Sequence, residues 1–405
     1  MERKLEPVTF DLRNLPAEFY ANPYPIYQRL RENSPVYCCP DESFFITRYE
    51  LVHAIYRNPK QYCSDKKQQF TPVFGVESPL YQHHTTSLVF NDPPLHTRVR
   101  KAIGNALSTK TVVAMQPGLE TLVEGLLDQI EDKASFDLIA DFAAAIPIEI
   151  IGNLLRIPAD EREPLRRWSL AILGALEVNL SAQEKAEGER CVTEMLEYLE
   201  TFISRRRNQL TDADDDILAR LLRWESGTDK LSSVELYHQC IFLLNAGHET
   251  TSNLIGNGVH LLVEEEAQLN LLKKRPDLIN CAVEEILRFE SSNQLGNRTC
   301  TQDAEINGIP IPKHSILTLC IGAANRDPQF FDNPDTFDIT RSPNPHLAFG
   351  AGIHTCAGIN VARLEGQVAI SRIFSRFPKL KLNGQPKRSQ RARFRGFEFV
   401  PMTIV

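Results

Sequence analysis

A mainly α single domain spanning residues 1–405 is predicted, with a minor sheet drawn from short strands near the two ends. Helical periodicity dominates the chain, at about 109–132, 136–155, 160–176, 183–207 and, longest of all, from Ser233 to Glu264. Strand-like runs are brief and cluster near the two ends. No Gly/Ser-rich or charge-run linker, repeat or low-complexity tract divides the sequence, although its length alone would suit two or three domains.

In order, Asn22-Pro23-Tyr24-Pro25 opens a helix through about Glu32, and Val36–Cys38 with Phe44–Thr47 reads as a strand pair. Residues 64–90 lack helical periodicity and read as irregular. Pro93 and Pro94 then start a helix, since proline is tolerated in a first turn. The long pattern from Ser233 begins with Ser232 and Glu235 in capping-box spacing. A helix from about Pro276 to Glu290 follows, then β-like runs at 295–301, 315–319 and 395–404.

Composition narrows the class. A net charge of −7 carries no nucleic-acid footprint. Residues 1–16 are polar, unlike a signal peptide or membrane anchor, and no run of about 18 apolar residues occurs. Nine cysteines, an odd number without CxxC spacing, argue against a disulfide framework. A soluble, cytoplasmic protein is expected, with no nucleic-acid partner.

Four motifs carry chemistry. Phe349-Gly350-Ala351-Gly352-Ile353-His354-Thr355-Cys356-Ala357-Gly358 places one cysteine in a glycine-rich loop before an amphipathic helical pattern, Ile359 to Phe374. Helix N-terminal N–H groups and the helix dipole favour a thiolate there, the form that binds metal. The glycines let a large flat group approach closely. The long helix turns polar at its centre, Asn245-Ala246-Gly247-His248-Glu249-Thr250-Thr251-Ser252-Asn253. This is either a polar patch against a neighbouring helix, or a small-molecule pocket with an acid and an alcohol placed to move protons. Glu285 and Arg288, three apart, share a helix face and can pair. His96 and Arg100, one turn apart, can clamp an anionic group. Alone, each of these last two pairs is ordinary on a solvated helix.

In order and spacing the four together resemble the cytochrome P-450 superfamily, the haem-thiolate monooxygenases, over essentially the whole length, and soluble bacterial-type members most. The Phe349–Gly358 segment is similar to the family's FGxGxHxCxG haem-ligand signature. Ala246–Thr251 matches AGx[DE]TT, Glu285–Arg288 matches ExxR, and Asp92–Arg100 matches DPPxHTRxR. The resemblance implies the P-450 fold: a large helical lobe and a small β-rich lobe, with haem b (iron protoporphyrin IX) buried between the long central helix and the cysteine-loop helix. It implies Cys356 as the axial thiolate that favours O–O cleavage, and Phe349 as the aromatic shielding its sulfur. Amides on the Ala357–Gly358 side would hydrogen-bond to that sulfur. Ala246 and Gly247 would leave room beside the cofactor. His96, Arg100, Arg298 and His354 match partners of the haem propionates. Glu285, Arg288 and Arg341 match a buried structural network.

Glu249 and Thr250 match the acid–alcohol pair that delivers protons for oxygen activation, so O2 is the expected oxidant. No flavin, nicotinamide or iron–sulfur motif is visible. Electrons are therefore expected from a ferredoxin with its NAD(P)H-dependent reductase, steered by Arg98, Lys101, Lys110 and Arg363. The implied reaction is insertion of one oxygen atom into a medium-sized, mainly apolar substrate, typically hydroxylation, by a monomeric enzyme of secondary metabolism. By resemblance the pocket draws on residues 64–90, Leu170–Leu176, the central helix, Asn293–Asn297 and Gly396–Phe399, with His83, His84, Gln294 and Glu398 as polar points. Two other readings stay open: a non-catalytic haem-binding or gas-sensing protein, and a nitric-oxide-reductase type taking electrons directly from NAD(P)H.

Overall fold

The computed structural model describes residues 9–214, 216–225 and 231–405. Helix takes 57% of the described residues, and the sheets are small. Two compact units make it up. The first comprises residues 9–64, 256–356 and 381–401; the second takes the described parts of 65–255, together with 357–380 and 402–405.

The first unit holds a five-stranded sheet in the order Val36–Cys38, Phe44–Ile46, Ile316–Cys320, Leu295–Cys300, Tyr62–Cys63. Phe44–Ile46 runs parallel to Ile316–Cys320, with Phe44 opposite Leu317; the other neighbours are antiparallel. Side chains alternate across a strand, and here the alternation separates two apolar clusters. Phe44 and Ile46 join Leu317, Leu319, Tyr49, Val52 and Tyr56. Phe45 joins Phe10, Tyr27, Leu295 and Cys320. The expected strand pair and the runs at 295–301 and 315–319 are thus sheet strands, and 395–404 holds two short ones, Phe397–Phe399 and Pro401–Thr403.

The first unit also holds the ExxR helix, Ile279–Phe289. Glu285 and Arg288 are both fully buried, and the guanidinium donates to each carboxylate oxygen at 2.7 Å. Arg288 also donates to the carbonyls of Asn325, Pro334 and Thr336. Glu285 accepts from the Asp338 backbone N–H, Arg341 and Asn344. Such a pair survives burial only because every remaining donor and lone pair finds a partner.

In the second unit, Thr109–Glu131 packs along Ile359–Arg376. Leu119, Val123, Leu127 and Ile130, spaced as one helix face, are buried. The rim is tied by Arg372 to Glu120 at 3.1 Å and by Arg376 to Asp128 at 2.8 Å and to Glu131. The long helix spans Ser233–Glu264 as read. Its capping box forms: the Ser232 N–H donates to Glu235 at 2.7 Å and the Glu235 N–H to Ser232 Oγ at 3.2 Å.

Three sequence readings need correction. Residues 64–90 are not irregular: they hold helices Lys67–Phe74 and Pro79–Thr86 and a 3-10 turn at Leu88–Phe90. Each helix is only two turns long, and the second buries His83, His84 and Thr85, so no apolar stripe exists to be read. The stretch 136–155 begins with a short strand and one π-helical turn before the helix Ala145–Leu155. There Asp141 accepts from the Asp137 N–H and Asp137 from the Ile139 N–H, diverting backbone donors from a regular helix. Within 160–176 the α-helix starts only at Leu165, after Pro164. Helices Tyr49–Arg57, Ile217–Glu225 and Glu266–Lys274 were not anticipated. Among the described residues no helix is long and apolar enough to cross a membrane.

One buried group in the second unit lacks compensation. Glu365, on Ile359–Arg376, is 2% exposed and its Oε2 has no hydrogen-bond partner. Burial pushes its carboxyl from the ordinary 4.5 up to about 8. Between those values the folded chain binds more protons here than the unfolded chain, so stability falls as pH rises. Glu365→Gln, always neutral, is expected to remove this loss. Thermal midpoints of both proteins from pH 5 to pH 9 test it: the wild type should fall away from the variant toward pH 8, and parallel curves would refute the account.

Candidate active site

The cysteine loop belongs to the first unit, and its shape follows from two glycines. Gly350 (φ +67°) and Gly352 (φ +74°) sit in the left-handed region that residues with a Cβ resist. A Cβ on Gly352 would also stand 2.4 Å from the Tyr56 carbonyl oxygen. The loop closes on itself: the Cys356 N–H donates to Phe349 O at 2.9 Å and the Gly350 N–H to Leu347 O at 2.8 Å. Asn325 Oδ1 accepts from the Leu347 N–H at 2.7 Å and anchors the loop to the core. Cys356 is half-buried and in no disulfide; His354, two residues before it, is half-buried too.

Arg298 lies in the same unit on the strand Leu295–Cys300, 5% exposed. It donates to Asn297 O at 2.8 Å, and its guanidinium stands 4.8 Å from the centre of the Tyr56 ring. Tyr56 thus lies against both, its ring beside the buried cation and its carbonyl where a Cβ on the loop glycine would stand. Sequence reasoning passed over it, because a tyrosine on an unanticipated helix gives no pattern to find.

The remaining predicted residues belong to the second unit. His96 is buried and Arg100 half-buried, one turn apart on Leu95–Ala106. At the polar centre of the long helix, Ala246 is exposed and Thr250 half-buried, while His248, Glu249 and Thr251 are buried. Thr250 Oγ1 donates to Ala246 O at 2.9 Å, and the helix stays regular throughout. A Cβ on Gly247 would meet only Ile151, at an ordinary 3.6 Å, where the glycine packs against Ala145–Leu155. Gly358 has φ −91°, open to any residue, and no protein atom lies within 4 Å of where its Cβ would be. Its space, not its backbone freedom, suits it to a flat neighbour. Arg98 is likewise not a simple surface cation. It pairs with Glu235 at 2.5 Å, which offsets its charge. Also missed was His238, whose ring lies 5.6 Å from that of His83.

The family model described as Cytochrome P450 matches residues 264–400. The biotin biosynthesis cytochrome P450 of Bacillus subtilis (strain 168) is 35% identical over 402 residues, covering 96% of this chain and 98% of the relative. The chain belongs to the cytochrome P450 family. The 6-deoxyerythronolide B hydroxylase of Saccharopolyspora erythraea is 34% identical over 375 residues, covering 90% of this chain and 91% of the relative. The crystal structure of P450BioI in complex with hexadec-9Z-enoic acid ligated acyl carrier protein superposes with a TM-score of 0.88 at 35% identity, covering 96% of this chain and all of that one.

As a cytochrome P450 the protein is a haem b monooxygenase. The first unit fits that cofactor chemically, offering a half-buried thiol outside any disulfide, a neighbouring aromatic, and an imidazole and a guanidinium suited to carboxylates.

Gly352→Ala is expected to cost at least ~1 kcal/mol from its left-handed backbone alone, and to lower both unfolding midpoint and haem content. Gly358→Ala meets no protein atom and should leave the haem-free midpoint unchanged. Denaturant unfolding of both variants checks this, and a wild-type midpoint for Gly352→Ala would contradict it.

Proposed function

We propose that Cys356 ligates haem iron, and that this cytochrome P450 hydroxylates a medium-sized, mainly apolar substrate with electrons from a ferredoxin and its NAD(P)H-dependent reductase. The observation that carries the reading is the half-buried Cys356 thiol in a loop held by two left-handed glycines and the Phe349 carbonyl. When bound, thiolate-ligated haem supplies the reduction of O2 and the transfer of one oxygen atom to substrate.

The chain's own residues do the rest. Phe349 shields the sulfur from water, and the glycine loop keeps the thiolate from moving. By the family resemblance, Arg298, His354, His96 and Arg100 would each hold a haem propionate through a charge-assisted hydrogen bond. Gly358 would leave room for a flat ring, and Ala246 would add no bulk beside one. Thr250 carries a hydroxyl that now donates to Ala246 O. Released from that bond, it can donate to oxygen while its lone pairs accept a proton from water. Glu249, a carboxyl at the buried centre of the helix, reloads the route. Lys101, Lys110 and Arg363 offer positive charge to an acidic ferredoxin, with Arg98 contributing less because Glu235 offsets it.

An apolar substrate is supported by the fatty acyl group in the P450BioI complex, and hydroxylation by the relative named a 6-deoxyerythronolide B hydroxylase.

Cys356→Ser is expected to abolish the red-shifted absorption of the reduced, CO-bound protein, while Ser at any of the other eight cysteines leaves it. A retained band in Cys356→Ser ends the assignment.

Thr250→Ala should fold, bind haem and accept electrons, because alanine suits a helix interior. It should then consume NAD(P)H without matching product and release hydrogen peroxide. Glu249→Gln should slow turnover more than it diverts it. The ratio of product to NAD(P)H decides: wild-type coupling in Thr250→Ala would remove the hydroxyl from the proton route.

A further inference from the structure

His83, His84 and His238 form a buried group within the second unit. The His83 ring lies 5.1 Å from that of His84 and 5.6 Å from that of His238. None of the three residues is more than 3% exposed. Nδ1 of His83, Nε2 of His84 and Nδ1 of His238 have no hydrogen-bond partner. A buried polar atom left without a bond is costly, and three such atoms lie together here.

Neighbouring polar groups are engaged elsewhere. Gln239, next to His238, accepts from the Leu88 N–H at 3.1 Å and donates to Thr86 O at 2.8 Å, pinning the end of Pro79–Thr86 to the long helix. Ser87 Oγ donates to His83 O, and Asn91 donates to Thr85 O and Ser87 O. Phe70, Phe74 and Phe90 stand 5.6–5.8 Å from the His84 ring, an apolar wall beside the polar heads. Burial pushes His84 down to about 3, His238 to about 4 and His83 well below the usual range. All three are neutral imidazoles, each offering one N–H and one lone pair.

At 3.6 residues per turn, His238, Asn245 and Glu249 fall on one stripe of Ser233–Glu264. The rise from His238 to Glu249, eleven residues on, is about 16 Å.

We propose that His83, His84 and His238 form a subsite that hydrogen-bonds an uncharged oxygen, a hydroxyl or carbonyl, at one end of an elongated apolar substrate whose other end is oxidised near Glu249 and Thr250. This rests on the monooxygenase reading above and narrows its substrate class. A carboxylate fits less well, since neutral imidazoles give it no balancing charge. The oxygen would meet donors and acceptors already fixed in place, while the Phe70–Phe74–Phe90 wall takes apolar surface.

The test compares dodecan-1-ol, dodecane and dodecanoate binding to the haem-loaded wild type, His84→Gln and the double variant His84→Phe/His238→Leu. Both the haem absorption shift and the unfolding midpoint are read. Dodecan-1-ol is expected to bind the wild type about tenfold more tightly than dodecane, the difference one or two neutral hydrogen bonds make. The double variant should lose that preference with dodecane affinity intact, and His84→Gln, which keeps a donor and an acceptor, should retain part of it. Equal binding of alcohol and alkane, no binding of the alcohol, or tighter binding of dodecanoate in the wild type would each overturn the subsite, even if the double variant does not fold. So would a preference that survives in the double variant. The CO-bound spectrum of the same preparations separates the two readings. A missing thiolate band counts against the monooxygenase assignment, whereas a normal band without alcohol preference counts against the subsite alone.

Discussion

Glu285 and Arg288 face each other without access to water, and the first unit is organised by the need to satisfy them. Removing one partner of such a pair typically costs about 3–5 kcal/mol, because the other charge stays buried. The requirement propagates. Arg288 holds the Asn325 carbonyl, Asn325 bonds Ser291 Oγ and the Leu347 N–H, the Leu347 carbonyl takes the Gly350 N–H, and the Phe349 carbonyl takes the Cys356 N–H. A structural ion pair thus reaches the cysteine through a handful of hydrogen bonds. The thiol inherits the rigidity of a core it does not belong to.

The same accounting explains the long helix. Polar side chains inside it are tolerated where they find partners: Thr250 and Ser252 bond the carbonyls one turn back, and Ser169 donates to Asn245 Oδ1. Asn257 donates to the carbonyls of Glu290 and Arg395 and accepts from Arg388. Beside it, burial alone would raise the Glu290 carboxyl, but Arg395, Arg388 and Arg326 hold it down at about 2. His83, His84 and His238 instead leave polar atoms without partners close together, which is why they read as a site for something the chain itself does not supply.

Much of this was visible in the primary structure, for identifiable reasons. The Ser232–Glu235 cap and the boundaries of Ser233–Glu264 are local chemistry, so they could be read at once. Gly350 and Gly352 were legible because a left-handed backbone demands glycine. Glu285 and Arg288 were legible as a pair, though nothing in four residues says that both are fully buried. The helices at Lys67–Phe74 and Pro79–Thr86 were not legible, since they bury histidine and threonine where an apolar stripe is sought.

Residue type and spacing along the chain were enough for the family and to nominate Cys356, Glu249 and Thr250 as candidates, because each motif depends on neighbours within a few positions. Folding decided the matters that depend on residues far apart. It set Tyr56 against both Arg298 and Gly352, matched Arg98 with Glu235, turned Gly247 toward Ile151, and gathered His238 beside His83. These contacts join positions separated by tens to hundreds of residues, and no local propensity encodes them. Burial, which settles whether a polar atom is satisfied or left wanting a partner, exists only once those distant segments have met.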